Sequence, residues 1–168
     1  PMIVRDPRRE ADASRGRIVD AFSETVDCMP TILDWLGGEI PRQVDGHSLL
    51  PFCRGETPAD WRREVHYEFD YRDLFYSKPE SWLGVAMDDC GLTVIQDESY
   101  KYVHFTDLPP LFFDLKNDPG EFVNLAGQRE HQGVMLEYAQ KMLSWRMRYA
   151  ERRLTHYAAS PEGLMVRA

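Results

Sequence analysis

The sequence predicts an α+β fold in which a small antiparallel sheet of about four strands is covered by one long C-terminal helix. Apolar and polar residues alternate with a period of two from Val65 to Arg72, as they do in a strand with one buried face. Further short strand-like runs follow, separated by tight turns. Near the C terminus the apolar period becomes that of a helix. Short strands with tight connections favour an antiparallel sheet, whose open face the helix would cover.

The remaining strand candidates lie between the first strand and the helix. Leu83 to Met87 and Leu92 to Gln96 flank the sequence Asp88-Asp89-Cys90-Gly91, which predicts a hairpin loop. Tyr100 to Phe105 and Leu111 to Leu115 are two further candidates. Together with the first strand, these runs account for the expected sheet.

One stripe of large apolar residues predicts the long helix. Its members are spaced 3, 4, 3 and 4 residues apart: Met135, Tyr138, Met142, Trp145 and Tyr149. Because such a stripe needs a surface to cover, we expect it to be mostly buried against the sheet. The residues from Tyr157 to Ala168 are expected to form a polar arm.

Prolines divide the first 58 residues into short elements. Ile3-Val4 and Ile18 to Phe22 predict strands, and Asp27 is placed to cap a helix that ends at Gly37-Gly38. The opening run, Pro1 to Val4, is apolar and extended, which we interpret as an interior strand whose partners lie elsewhere. The apolar residues of this segment are therefore expected to be under-buried.

Composition and charge restrict the function classes. The chain has 168 residues, 43% of them hydrophobic, and a net charge of -8, which suffices for a core but offers no basic face for nucleic acid. No apolar run of about 18–20 residues predicts a membrane span, and the first residues lack the pattern expected of a secretory leader. The widely spaced Cys28, Cys53 and Cys90 favour free thiols, so we expect a cytoplasmic rather than a periplasmic location.

The residue patterns alone point to no active site. No two of the five histidines share an i, i+4 helical face, and no HExxH, GxSxG or P-loop pattern occurs. Glu68 and Asp70 lie on one face of the first strand, where a carboxylate pair could hold a metal ion or divide acid and base roles. A solvated sheet face explains this pair about as well. On these patterns alone, the chain is a soluble α+β domain.

Two stretches of the sequence, however, resemble a known family. The first comprises the run Pro1 to Pro7, the segment Val26 to Asp34 with Gly37, and the segment Asp45 to Pro51. These residues resemble, in the same order, a VPLIIRxP strand, a VDLxPTLLxLxG helix and a DGxSLLP turn of the sulfatase superfamily.

The second stretch comprises Tyr100-Lys101-Tyr102, the segment Phe113 to Glu121 and the sequence Asn124-Leu125-Ala126. It resembles the YKY and LYDLxxDPxExxNLA motifs of the same superfamily. Together the two stretches cover residues 1–126. The C-terminal tail and the segment His66 to Asp73 are most similar to the phosphonate monoester hydrolase and arylsulfatase branch.

The resemblance implies a division of the chain. Residues 1–58 would be the C-terminal edge of an α/β, alkaline-phosphatase-like catalytic domain, here incomplete. Residues 59–168 would be the C-terminal subdomain of the family with its tail arm. The implied parent protein hydrolyses sulfate or phosphonate and phosphate esters, using a formylglycine and one divalent cation of the Ca, Mn or Mg type.

The resemblance implies no catalytic and no metal-binding residue in this chain. The CxPxR or SxPxR nucleophile and the DHG metal motif of the family do not occur in the sequence. Cys28 is followed by the proline of the nucleophile pattern, Pro30, but the arginine is missing. The fragment alone is therefore expected to be inactive.

The same resemblance implies a supporting role as scaffold, cleft wall and oligomer contact. Candidate wall residues, which would face an anionic ester substrate, are His66, Tyr71, Arg72 and Trp82. The implied partners are the N-terminal catalytic domain of the same protein, this small-molecule substrate and further copies of the chain, with no nucleic acid and no membrane. The alternative is a standalone, non-catalytic α+β binding or oligomerisation module that uses exposed aromatic residues as its binding surface.

Overall fold

The structure, a computed structural model, describes residues 2–73, 75–76, 78–149, 157–161 and 163–166. Pro1, Arg167 and Ala168, which belong to the predicted opening run and C-terminal arm, lie outside the described residues. The chain forms two compact units, one within residues 1–61 and 146–168 and the other within residues 62–145. No helix in the described part of the chain has both the length and the apolar character needed to cross a membrane.

The chain contains short helices, a four-stranded sheet, one long helix and a terminal hairpin. Short 3-10 turns at Arg9–Ser14, Thr25–Asp27, Met87–Asp89 and Arg129–His131 lie between these elements. The helices and strands, in chain order, are α1 (Cys28–Trp35), α2 (Leu50–Cys53), β1 (Glu64–Asp70), α3 (Lys78–Leu83), β2 (Gly91–Asp97), β3 (Tyr100–Phe105), β4 (Leu111–Asp114), α4 (Gln132–Tyr149), β5 (Tyr157–Ser160) and β6 (Gly163–Val166).

The sheet of the second unit confirms the predicted α+β architecture. Its strands run antiparallel in the order β1-β2-β3-β4. The register aligns His66, Ile95, Tyr102 and Phe112 in one row across the four strands. Because side chains in paired register positions point to the same face, this row forms one continuous surface, and α4 packs on it.

The predicted stripe of α4 covers this surface. Tyr138 and Met142 are buried and share the core with Ile95, Tyr102 and Phe112. Three further members of the stripe, Met135, Trp145 and Tyr149, are half-buried. The expectation that the stripe is mostly buried is therefore confirmed, with its two central residues carrying most of the burial.

The predicted strand at Leu83 to Met87 is wrong. The chain forms α3 (Lys78–Leu83) there and then a 3-10 turn at Met87–Asp89, and β2 pairs with β1 instead. Pro79 lies in the first turn of α3, where a missing N–H is tolerated, and Gly84 follows the helix with a φ of 69° that suits a helix end. These two residues favour a helix that ends at Leu83, so the apolar run Leu83 to Met87 begins at the end of the helix and forms no strand.

The first unit has the predicted helix but not the predicted strands. Helix α1 spans Cys28–Trp35, whereas no strand forms at Ile3-Val4 or Ile18 to Phe22 among the described residues. Ile3 is 89% exposed and Ile18 is 84% exposed. The expected under-burial of this segment is thus confirmed. Its buried hydrophobic side chains are Ala11, Leu49, Leu50 and Phe52.

The C-terminal arm contains an unpredicted hairpin. Strands β5 and β6 pair antiparallel, with Ser160 opposite Gly163. Gly163 has a φ of 117°, a conformation that other residues rarely adopt. The sequence analysis missed this hairpin because the arm has no alternating apolar pattern long enough to predict a strand.

Candidate functional site

The segment that follows β4 uses its polar side chains to bind backbone N–H groups. The carboxylate of Asp114 accepts hydrogen bonds from the N–H groups of Lys116 and Asn117 at 3.0 and 3.1 Å. The carboxylate of Asp118 accepts one from the N–H of Val123 at 2.8 Å. Side chains that accept local N–H bonds in this way stabilise tight turns.

Asn124 completes the edge of the sheet. Its side-chain oxygen accepts hydrogen bonds from the N–H groups of Phe112 and Ala126 at 2.9 and 3.1 Å. The N–H of Leu125 donates to the carbonyl of Phe112 at 2.8 Å. Residues 124 and 125 therefore satisfy backbone groups on the outer side of β4, where an edge strand would otherwise leave them unpaired.

An ion pair joins two family-like motifs of the second unit, Tyr100-Lys101-Tyr102 and the segment Phe113 to Glu121. The ammonium of Lys101 in β3 lies 2.7 Å from the carboxylate of Glu121. Burial lowers the pKa of Lys101, but the hydrogen bond to Glu121 and the further interactions with Glu121 and Tyr67 together outweigh burial and raise that pKa above its ordinary value. Glu121 has a φ of 56°, a costly conformation for a residue with a side chain, which the ion pair and the surrounding turn hold in place.

A second polar network connects α4 to the sheet. The carboxylate of Asp97 accepts hydrogen bonds from the N–H groups of Ser99 and Tyr100 and from the Tyr138 hydroxyl. Lys141 lies 3.5 Å from the carboxylate of Glu64, which in turn lies 3.1 Å from the His66 ring. These contacts border the apolar core on one side.

The network shifts the pKa values of its members. Burial raises the pKa of Asp97, but its hydrogen bonds, first that from Tyr138, outweigh this and hold the pKa below its usual range. The hydrogen bond with His66 lowers the pKa of Glu64. Burial and then the hydrogen bond to Asp97 raise the pKa of Tyr138. At neutral pH Asp97 and Glu64 are therefore ionised and Tyr138 is protonated, the states in which their hydrogen bonds form.

In the first unit, the two family-like segments are held together through α1. The buried carboxylate of Asp27 accepts hydrogen bonds from the N–H groups of Glu24 and His47, both at 2.9 Å. The Thr31 hydroxyl accepts one from the N–H of Leu49 at 2.9 Å. A Cβ atom on Gly46 would lie 2.1 Å from the carbonyl oxygen of Val26, so only glycine permits this close approach.

A buried carboxylate also fixes the start of the described chain. Asp6 pairs with the guanidinium of Arg8 at 2.8 Å and accepts a hydrogen bond from the Trp35 indole at 3.3 Å. The hydrogen bond from Arg8 holds the pKa of Asp6 well below its usual range, against the effect of burial. The sequence analysis assigned no role to Asp6. The only sequence feature that could have indicated the ion pair is the two-residue spacing between Asp6 and Arg8.

Two of the four candidate wall residues are engaged inside the second unit. The His66 side chain is 4% exposed, and its ring stacks on Trp145 with a centroid distance of 4.5 Å. Tyr71 packs edge-on against Phe105. Its hydroxyl is buried and has no hydrogen-bond partner among the described residues, and burial raises its pKa.

The other two candidates are accessible. The Arg72 guanidinium bonds the carboxylate of Asp70 at 2.7 and 2.9 Å and lies 3.7 Å from Asp88. Trp82, at the end of α3, is 79% exposed. His66 and Tyr71 therefore pack inside the second unit, whereas Arg72 and Trp82 are exposed to solvent.

The described residues do not fit the divalent cation that the resemblance implies. No three His, Cys, Asp or Glu side chains converge to hold a metal ion within the described ranges. A cavity of about 720 Å³ does lie in the first unit. Its lining includes exposed apolar side chains together with Cys53, whose pKa is raised by burial, a change that disfavours the reactive thiolate.

The family-like residues described above make contacts that hold the fold together. Comparison with known proteins identifies the family. The family profile described as "N-sulphoglucosamine sulphohydrolase, C-terminal" matches residues 1–148. The chain is 56% identical over 167 residues to the "Multifunctional alkaline phosphatase superfamily protein PehA" of Trinickia caryophylli, covering 99% of this chain and 32% of that protein. It is 30% identical to an N-acetylglucosamine-6-O-sulfatase of Bacteroides thetaiotaomicron, covering 90% of this chain and 25% of the relative.

Solved structures give the same assignment. The crystal structure of a phosphonate monoester hydrolase of Agrobacterium radiobacter matches with a TM-score of 0.80 and 38% identity, covering 92% of this chain and 31% of that one. A phosphonate monoester hydrolase of Silicibacter pomeroyi matches with a TM-score of 0.79 and 37% identity, covering 90% of this chain and 30% of that one. The chain thus spans about a third or less of the length of these relatives. On its sequence, its fold and the residues that hold the fold together, the chain belongs to the family of sulfatase C-terminal domains typified by N-sulphoglucosamine sulphohydrolase.

Proposed function

We propose that this chain is the non-catalytic C-terminal part of a hydrolase that cleaves sulfate or phosphonate and phosphate esters. The observation that supports the proposal most strongly is that the family-like polar side chains make contacts within the fold. Asp27, Asp118 and Asn124 all bind backbone N–H groups of their own unit. Buried and turn-forming polar side chains that bind backbone groups in this way support a fold.

In this proposal, residues 1–58 complete a larger catalytic domain supplied by the rest of the protein. Ile3 and Ile18 are almost fully exposed, and Ile32 and Leu36 of the α1 region are more than half exposed. Each large apolar side chain left in water forgoes roughly 1.5–3 kcal/mol of burial. A contiguous partner from the same protein would recover this free energy, and the length of the relatives leaves room for one.

The nucleophile and the cation would belong to that partner. The resemblance implies a formylglycine and one divalent cation, which would stabilise the charge on the oxygen under attack. The described residues of this chain do not form such a site, so their contribution is limited to support and to the wall of the cleft. Arg72 and Trp82 are the accessible members of the proposed wall, and the guanidinium of an arginine suits an anionic ester.

The isolated 168-residue chain is expected to have no esterase activity. We would assay it with an aryl sulfate and a phosphonate monoester, with added Ca²⁺, Mn²⁺ or Mg²⁺, and expect turnover no higher than in buffer. Turnover that survives repurification of the chain would contradict the proposal. The coding sequence upstream of Pro1 supplies a second test, because a CxPxR and a DHG motif are expected there, whereas a nearby start codon would favour the standalone module.

The role of the wall is tested separately in the full-length hydrolase. Trp82→Ala and Arg72→Ala are expected to raise KM while leaving stability within about 0.5 kcal/mol, since both side chains lie at the surface. Asn124→Ala serves as the contrasting variant, because it removes a bond to the sheet edge and is expected to lower stability by about 1–3 kcal/mol with KM unchanged. Unchanged KM in both wall variants would show that Arg72 and Trp82 do not line the cleft.

A further inference from the structure

We draw no further inference here: the strongest candidate, the patch of exposed aromatic side chains on the connection between β1 and β2, namely Phe75, Tyr76 and Trp82, carries nothing beyond the proposed function, because nothing in the described part of the chain shows what covers it.

Discussion

At the residue scale, Asp97 connects three parts of the second unit through one carboxylate. One of its oxygens accepts the N–H groups of Ser99 and Tyr100, which shapes the turn between β2 and β3. The other accepts the hydroxyl of Tyr138 from α4. The residue that forms the turn therefore also positions the helix on the sheet.

Tyr138→Phe is expected to lower the free energy of unfolding of the second unit by about 1.5–3 kcal/mol, the usual contribution of a hydrogen bond to a charged group. The ring packing against Phe112 is retained in this variant, so the loss reports the hydroxyl. Native-state hydrogen exchange of the β2 and β3 amides measures it. Tyr100→Phe, in the same ring cluster, is the matched control and is expected to change little; an equal loss in both variants would assign the effect to ring packing.

Acid is expected to destabilise the same unit. The pKa values of Asp97 and Glu64 are lower in the folded chain than their ordinary values, so the unfolded chain binds protons more readily. Their stabilisation is complete above the unfolded pKa values of about 3.9 and 4.3 and is lost as the pH falls through the folded values. Urea denaturation between pH 7 and pH 3 measures the effect, and Asp97→Asn is expected to flatten the dependence. An unchanged slope in that variant would assign the acid sensitivity to other carboxylates.

At the scale of elements, α4 presents two apolar faces that differ in burial. The inner face holds Tyr138 and Met142 in the core of the second unit. The outer face holds Leu136, Leu143 and Met147 in solvent. The helix therefore contributes to the fold of the second unit through its inner stripe.

Two methionines of α4 test this difference experimentally. Met142→Ala is expected to lower the free energy of unfolding by about 2–5 kcal/mol, because it leaves a cavity in the core. Met147→Ala, on the outer face, is expected to change it by no more than about 0.5 kcal/mol. Chemical denaturation at a protein concentration low enough to keep the chain monomeric compares them. Equal losses would mean that the outer face also contributes to the stability of the monomer.

At the scale of the whole molecule, the two units differ in how far they bury their own apolar residues. The second unit has a core of five large buried side chains: Ile95, Tyr102, Phe112, Tyr138 and Met142. The first unit leaves Ile3, Ile18 and Leu36 largely in water. We therefore expect the second unit to be stable by itself and the first to depend on additional protein surface.

Hydrogen exchange across the isolated chain tests this difference. Amides of β2 and β3 are expected to be strongly protected, and those of residues 2–5 and 17–21 to exchange rapidly, because local opening is easiest where few apolar contacts form. The measurement is made at a concentration where sedimentation shows a monomer. Uniform strong protection across residues 2–58 in that sample would favour the standalone module over the hydrolase fragment.

The candidate site shows where sequence reasoning reached its limit. His66 and Tyr71 were predicted to face an anionic substrate, yet one stacks on Trp145 and the other packs against Phe105. Arg72 and Trp82 were selected on the same grounds and are accessible. Residue type indicates what a side chain can do, whereas its exposure depends on which distant element packs over it.

The sequence by itself determined the features that depend on local chemistry. The existence of β1 and the buried stripe of α4 follow from residue type and spacing. Family membership was also predictable, because the motif residues occur in order along the chain. These predictions agree with the structure because each feature is specified by residues that are close together in the sequence. The apolar face predicted for β1 is wrong, because Tyr67 and Phe69 are 44% and 60% exposed, whereas His66 lies on the face that α4 covers.

Only the tertiary structure decided how the elements are paired. The run Leu83 to Met87 resembles a strand, but β2 pairs with β1, and α3 forms instead. The bond from Asp97 to Tyr138 joins residues 41 positions apart, and no local pattern specifies such a partner. Periodicity identifies which face of an element is apolar, whereas the choice of what covers that face is made by contacts between residues far apart in the sequence.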